Sequence, residues 1–316
     1  MARSASSPEG TVADAPAGNW VDRYAPERAR PYLRLSRADR PIGTWLLLIP
    51  CWWGLLLAMA AGQPRWEDAW IGLGCAIGAF LMRGAGCTWN DVTDRNIDGS
   101  VARTASRPIP SGQVTVRGAL VWMCAQALLA LLILLTFDPL AIGLGIGSLA
   151  LVAIYPFAKR FTWWPQVFLG LAFNWGALLA WAAHAGSLSL APILLYGAGI
   201  AWTLHYDTIY AHQDAEDDAL IGVRSTARLF GDASPIWLAG FAALTVLLMG
   251  LSALSAGLAG APLLAAWAGI VGMGAHMALW LRRLDIAEPA TCLTAFRAAK
   301  DGGLVAAAGL ALAAAL

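Results

Sequence analysis

Long apolar runs separated by short polar segments dominate the chain. A helix needs about 20 mostly apolar residues to cross a bilayer. Runs of this kind cover residues 42–62, 68–89, 117–137, 139–157, 164–184, 191–211, 234–256, 260–281 and 300–316. Segments that alternate between apolar and polar residues, which are typical of outer-membrane barrels, are absent. We therefore predict an all-α polytopic membrane protein, a bundle of about nine transmembrane helices with Asp-rich cytoplasmic loops.

The composition supports this prediction. Hydrophobic residues make up 59% of the 316 residues and charged residues only 13%, whereas soluble domains carry about 25% charged residues. This balance excludes an ordinary soluble enzyme.

Basic residues orient the predicted bundle. If the helices alternate in direction, 19 of the 21 lysines and arginines fall on one face, and such residues stay on the cytoplasmic side. We therefore expect the N-terminus and the polar clusters described next to be cytoplasmic, and the membrane to be a bacterial inner membrane. Residues 1–35, which have no apolar signal core, are expected to form a flexible cytoplasmic tail, and residues 36–316 the transmembrane domain.

Two acidic clusters stand out because the rest of the chain avoids charge. The first runs from Asn90 to Asp98 and the second from Asp207 to Asp218, and together they hold eight of the 20 carboxylates. In helical geometry, Asp91, Asp94 and Asp98 share one face. The same spacing places Asp207, Tyr210, Asp214 and Asp217 in one stripe, with Asp218 four residues after Asp214. Carboxylates packed in this way repel each other unless a cation is bound.

Magnesium suits such clusters because it binds a few carboxylates, keeps several waters and shares its other positions with substrate phosphates. The expected metal ligands are Asp91, Asp94, Asp98, Asp214, Asp217 and Asp218. Basic segments follow both clusters, so Arg103, Arg107 and Arg224 are expected to bind phosphate oxygens that the metal leaves uncovered. The alternative interpretation is that both clusters are solvated loops.

The motifs become specific when they are read together. The chain reads NDxxDxxxD from Asn90 and RTxxRPxPSG from Arg103. It then reads YDxxYAxxDxxDDxxIGxxST from Tyr206. This pattern is similar to the UbiA superfamily of intramembrane prenyltransferases. The flanking segments, RPIGT from Arg40 and YPFAKR from Tyr155, resemble its 4-hydroxybenzoate polyprenyltransferase branch. The likeness covers about residues 32–300, and residues 36–316 would then form the prenyltransferase domain.

The resemblance implies transfer of an all-trans polyprenyl group from its diphosphate to the ring carbon ortho to the hydroxyl of 4-hydroxybenzoate. This is a membrane step of ubiquinone biosynthesis that depends on Mg²⁺. The implied partners are polyprenyl diphosphate, 4-hydroxybenzoate and the lipid bilayer, and no nucleic acid is expected. The implied catalytic carboxylates, which would hold Mg²⁺ on the diphosphate, are Asp91, Asp94, Asp98, Asp214 and Asp218.

Other polar residues have two interpretations each. Arg83 lies inside an apolar run, so it is expected to face a substrate or to pair with an aspartate. Asn90 begins the first motif and is expected to bind substrate. Arg40, Lys159 and Arg160 are candidates for the substrate carboxylate, unless they are ordinary flanking charges. Asp207 and Tyr210 would support the second metal site or orient the acceptor, or would only hydrogen-bond a helix end. His205 and His212 are interpreted as bystanders.

Two competing functions remain open at this point. A UbiA-type enzyme could use another acceptor, such as a naphthoquinone precursor, homogentisate, haem or a lipid headgroup. A divalent-cation or anion transporter would also explain charge inside a membrane, although its carboxylates would be expected near the bilayer midplane. Here the carboxylates cluster at one face.

Overall fold

The structure, a computed structural model, describes residues 15–16, 18–99, 104–215, 219 and 222–316, without the side chains of residues 96 and 97. Its α-helices are α1 (Trp20–Tyr24), α2 (Arg30–Leu35), α3 (Ile42–Ala61), α4 (Glu67–Asp98), α5 (Val116–Leu134), α6 (Pro139–Ile154), α7 (Ala158–Phe161), α8 (Pro165–Ala185), α9 (Leu190–Ala211), α10 (Thr226–Phe230), α11 (Ser234–Ser255), α12 (Gly260–Arg283) and α13 (Pro289–Ala315). Short 3₁₀ turns cover Tyr155–Phe157, His212–Asp214 and Gly231–Ala233. The described residues contain no β-strand.

Eight stretches of the described chain are long and apolar enough to cross a membrane, judged by length and composition. They are Ile42–Ala61, Glu67–Arg95, Val116–Leu134, Pro139–Phe161, Pro165–Ala185, Thr226–Ser255, Gly260–Arg283 and Pro289–Ala315. Helix α9 is not among them, although it has 22 residues; its C-terminal half contains the polar residues His205 and Asp207. The predicted all-α membrane architecture is confirmed, and each predicted apolar run corresponds to a long helix.

Two helices differ from the prediction in their limits. Helix α4 continues beyond residue 89 to Asp98, so the first acidic motif lies on the helix itself, as the helical spacing of its aspartates implied, rather than in the loop that follows the apolar run. Helix α13 begins at Pro289 rather than at residue 300. Proline is well suited to the first turn of a helix, and the residues after it are good helix formers that an apolar-run criterion overlooks.

The described chain divides into two compact units. The first comprises the described parts of Met1–Thr44 and Ile77–Ile133, and the second comprises Trp45–Ala76 and Leu134–Leu316. In the first unit, α1 and α2 form within the segment that we expected to be a flexible tail. Val21 packs with Ala25 and Ala38, and the Asn19 side chain caps α1 by accepting the Asp22 N–H.

In the second unit, small residues let helices approach closely. A Cβ added at Gly54 of α3 would overlap the backbone of Ala177 in α8, and one added at Gly269 of α12 would lie 2.8 Å from the Cα of Gly309 in α13. Such close approach is typical of membrane helices, which associate by packing rather than by the hydrophobic effect.

Candidate active site

The first acidic motif forms the C-terminal turns of α4. Asp91, Asp94 and Asp98 share one helix face, as predicted, and this face is turned into the protein: their exposed fractions are 0%, 1% and 6%. A buried ionised carboxylate is costly unless it is paired or hydrogen-bonded. The burial of these three side chains contradicts the alternative that the cluster is a solvated loop.

Two arginines pair with this face. The Arg37 Nη2 lies 2.6 Å from Asp91 Oδ1. The Arg107 Nη1 lies 2.9 Å from Asp98 Oδ2 and 3.4 Å from Asp91 Oδ1, so this guanidinium bridges two aspartates. We expected Arg107 to bind phosphate, and the structure brings it to the carboxylates of the same motif. Burial raises the pKa of Asp98, an effect that the Arg107 charge opposes and the Asp91 and Asp94 charges reinforce.

One carboxylate oxygen in this cluster is suited to a further cation. Asp91 Oδ2 is buried and accepts no hydrogen bond from any described residue. A buried acceptor without a partner is costly, and a hard divalent cation is a natural ligand for it. Within the described residues, no three Asp, Glu, His or Cys side chains converge as a ready-made metal cage. The residues present therefore fit Mg²⁺, which binds through one or two carboxylates and completes its coordination with water and phosphate.

Three further residues predicted for the site lie in the same unit. The Arg83 guanidinium packs against Gly43 at the start of α3, where an added Cβ would come within 2.5 Å of Nε. Asn90 is half-buried in α4. Arg40 lies 3.5 Å, Nε to Oδ1, from the neighbouring carboxylate of Asp39, which is 2% exposed.

The second acidic motif begins at the end of α9 and is less buried. Asp207, Tyr210 and Asp214 are all partly exposed, and the Tyr210 ring lies 4.5 Å from the Phe296 ring, centroid to centroid. The α-helix ends at Ala211 and a 3₁₀ turn follows. Because a 3₁₀ turn has about 3.0 residues per turn, Asp214 is rotated away from the stripe that ideal α-helical spacing predicts.

The two histidines near this motif bond to other helices. His205 Nδ1 lies 2.9 Å from the Leu238 carbonyl oxygen, and His212 Nε2 lies 2.9 Å from Ser234 Oγ. Burial lowers the pKa of His212, which favours the neutral imidazole. These contacts agree with the interpretation that both are bystanders.

Basic residues from two distant segments meet in the second unit. The Arg224 N–H donates to the Lys159 carbonyl over 3.4 Å, and Arg224 Nη1 donates to the Phe161 carbonyl over 3.0 Å. The neighbouring Arg160 guanidinium lies 5.1 Å from the centroid of the Phe157 ring. The segments that carry these three predicted anion-binding residues therefore lie side by side, joined through backbone carbonyls.

Three predicted site residues lie outside the described residues, namely Arg103, Asp217 and Asp218. Conversely, no sequence pattern singled out Arg37, whose Nη2 lies 2.6 Å from Asp91 Oδ1. In the sequence it is one of many arginines before the first span, and its contact joins segments that lie 54 residues apart in the chain.

Comparison with known proteins gives a consistent set of likenesses. The UbiA prenyltransferase family matches residues 47–300. A relative from Aedes aegypti, named 4-hydroxybenzoate polyprenyltransferase, mitochondrial, is 47% identical over 283 residues, which is 89% of this chain and 63% of that protein. A relative of the same name from Bos taurus is 46% identical over 294 residues, which is 92% of this chain and 77% of that protein. The chain thus spans less than two thirds of the mosquito relative.

A solved structure supports the fold. The UbiA homolog from Archaeoglobus fulgidus bound to GPP and Mg²⁺ superposes with a TM-score of 0.67 over 89% of this chain and 99% of its own, at 20% identity. The names of the two relatives include the word mitochondrial, so they give no support to the expected bacterial inner membrane. These likenesses and the long apolar helices support an integral membrane protein.

Proposed function

The chain belongs to the UbiA prenyltransferase family, and we propose that it is a 4-hydroxybenzoate polyprenyltransferase. The proposed reaction moves an all-trans polyprenyl group from its diphosphate to the ring carbon ortho to the hydroxyl of 4-hydroxybenzoate, a step of ubiquinone biosynthesis. One observation carries the proposal: the carboxylates of the NDxxDxxxD motif are buried beside arginines. Relatives with this name, nearly half identical over nine tenths of the chain, support the choice of acceptor.

The first motif is proposed to serve the diphosphate. Asp91, Asp94 and Asp98 would hold Mg²⁺ together with water and phosphate oxygens, one or two of the carboxylates binding it directly, and Asp91 Oδ2 is the oxygen whose environment favours a cation. What a bound Mg²⁺ supplies is neutralisation of diphosphate charge, which makes the diphosphate a better leaving group. Arg107, now on two aspartates, would donate to phosphate oxygens as well, since a guanidinium has five N–H donors. The GPP and Mg²⁺ bound to the Archaeoglobus fulgidus homolog are consistent with this assignment.

Cleavage of the C–O bond leaves the electron pair on the diphosphate and an allylic cation on the prenyl group. The ortho carbon of the electron-rich ring then attacks this cation and loses its proton. The apolar helices around the motif would exclude water, which would otherwise capture the cation. Asn90 and Arg83, on the same helix, are proposed to contact the substrate.

The second unit is proposed to contribute the remaining contacts. Lys159, Arg160 and Arg224, whose segments meet, are the proposed basic residues for the carboxylate of 4-hydroxybenzoate, because arginine binds a carboxylate with two parallel hydrogen bonds. Arg40 is the alternative partner for this carboxylate. Asp207, Tyr210 and Asp214 are proposed to act in the second acidic motif, as are Asp217 and Asp218 beyond the described residues.

The proposed location follows from the charge pattern. Because the basic residues are retained on the negative side of a membrane, we propose that both motifs face the bacterial cytoplasm or, in an organelle, the mitochondrial matrix. Protease accessibility in sealed vesicles of known orientation tests this side.

The activity is tested with purified protein in lipid nanodiscs, given a polyprenyl diphosphate, Mg²⁺ and 4-hydroxybenzoate. Mass spectrometry should detect 4-hydroxybenzoate that has gained one prenyl group and lost one hydrogen, and EDTA should abolish this product. Homogentisate and 1,4-dihydroxy-2-naphthoate serve as competing acceptors. Prenylation of one of these compounds instead would refute the proposal that 4-hydroxybenzoate is the acceptor. Divalent-cation flux without any prenylation would refute the proposal that the protein is a prenyltransferase.

A further inference from the structure

Arg37 has an unusual backbone. Among the described residues it is the one non-glycine with positive φ, at 55°. The left-handed region is disfavoured for residues with a Cβ, and such conformations persist where the surroundings fix them, often at functional sites. Arg37 lies between α2 and α3, and its side chain is 9% exposed. This φ completes the C-terminus of α2, where the Arg37 N–H donates to the Arg34 carbonyl and the Ala38 N–H donates to the Leu33 carbonyl. Glycine is the usual residue at such a position, so an arginine with a buried guanidinium there calls for a functional explanation.

The contacts of this guanidinium select one oxygen of Asp91. Its Nη1 donates to the Arg34 carbonyl over 3.1 Å and its Nη2 donates to Asp91 Oδ1 over 2.6 Å. Arg107 also approaches Oδ1, at 3.4 Å. Both cations therefore lie on the same oxygen, while Oδ2 accepts no hydrogen bond within the part of the chain that the structure describes.

We propose that Arg37 is a positioning residue: its left-handed backbone fixes the guanidinium on Asp91 Oδ1, and this fixes Asp91 Oδ2 as the oxygen available to the divalent cation. This inference rests on the proposed function, because it assumes that Asp91 binds the cation. The Arg34 carbonyl is the second anchor, since one planar guanidinium spans both acceptors and a lysine ammonium lacks that fork.

Removal of Arg37 would have the opposite effect on cation affinity if Arg37 were only a counter-charge for Asp91. If Arg37 only neutralised Asp91, its positive charge would compete with the metal, and its removal would strengthen cation binding. If Arg37 positions the carboxylate, its removal lets Asp91 rotate and weakens binding. Tighter cation binding after removal of Arg37 therefore indicates a counter-charge, and weaker binding indicates a positioning role. Measuring well below the melting temperature keeps a general loss of stability from being mistaken for either change.

The test measures Mn²⁺ binding to the purified full chain in nanodiscs by electron paramagnetic resonance, well below the melting temperature. Arg37→Lys and Arg37→Gly should each bind Mn²⁺ about 10–100-fold more weakly, the usual effect of removing a partner that orients a metal ligand. Arg37→Gly relieves the backbone and leaves space, so millimolar guanidinium should restore binding, whereas equal sodium should not. Arg34→Gln is the matched control: it removes a buried arginine that pairs with Asp22, and should leave Mn²⁺ affinity within about twofold.

Each outcome decides the inference. Unchanged or tighter Mn²⁺ binding by both Arg37 variants, with the unaltered protein binding normally, would overturn the positioning role and leave the proposed function intact. Absence of Mn²⁺ binding by the unaltered protein would overturn both. Weaker binding by Arg34→Gln to the same extent would mean that the effect is a general one and would also overturn the inference.

Discussion

Gly54→Ala provides a direct test of how α3 and α8 pack in the second unit. The added Cβ would overlap the carbonyl oxygen of Ala177 and lie 2.9 Å from its carbonyl carbon and Cα. All three are backbone atoms of a helix, so no side chain can turn away to make room. One of the two helices has to shift, and the packing along their contact is lost with it.

The size of the effect follows from two opposing contributions. Overpacking a core costs about 1–3 kcal/mol, and the upper end applies here because the clash is with backbone. Replacing a helical glycine by alanine contributes about 0.5–1 kcal/mol of stability. The expected net loss is about 2 kcal/mol. At about 2–4 °C per kcal/mol for a chain of this size class, the melting temperature should fall by about 4–8 °C.

The assay is thermal unfolding of the purified protein, followed by tryptophan fluorescence, with Gly147→Ala as the control. Gly147 lies in α6, and an added Cβ there meets nothing within 4 Å, so this variant should melt at or slightly above the unaltered protein. Ala177→Gly should not rescue Gly54→Ala, because the clash involves backbone atoms that both residues share. A Gly54→Ala variant as stable as Gly147→Ala would refute the close contact.

Three further predictions concern the two acidic motifs, the choice of divalent cation and a buried histidine–aspartate pair in the second unit. Asp94→Asn or Asp214→Asn should each abolish prenyl transfer, measured as product per protein; near-normal turnover in either would contradict the proposal that both motifs are needed. Replacing Mg²⁺ by Ca²⁺ should reduce turnover sharply, because Ca²⁺ prefers a larger coordination shell, and equal rates would argue against a Mg²⁺-dependent step. His184 Nδ1 lies 2.7 Å from Asp68 Oδ1 in a buried pair. Asp68→Ala and His184→Ala should each destabilise by about 3 kcal/mol, and the double variant by little more; additive losses would exclude direct coupling.

Helix positions could be predicted because a membrane span requires a long apolar run, and composition alone marks such runs. The ends of the helices could not, because beyond the apolar part a helix continues wherever its backbone and side chains find partners. Helix α4 continues to Asp98 since Arg37 and Arg107 pair with its last acidic turns. Helix α13 starts at Pro289, where proline favours a first turn that the apolar pattern does not reveal.

The sequence predicts which acidic residues of the candidate site lie together, but not which arginines pair with them. Helical periodicity predicts that Asp91, Asp94 and Asp98 share a face, because this depends only on their spacing within one helix. Which cations meet this face depends on how distant segments fold back. Arg107 was expected to bind phosphate and lies on two aspartates, and Arg37 reaches Asp91 from a segment 54 residues away in the chain.

The charges of the first motif explain how it can fold without ligand and bind an anion once a divalent cation is in place. Counted as ionised, Asp91, Asp94 and Asp98 carry three negative charges, and Arg37 and Arg107 return two positive ones. Among these five side chains one negative charge remains, and burying it costs far less than burying three unpaired carboxylates. With one divalent cation on Asp91 Oδ2 the same five side chains would carry a net positive charge. A diphosphate should therefore bind together with the cation or after it, because before that point the motif repels it.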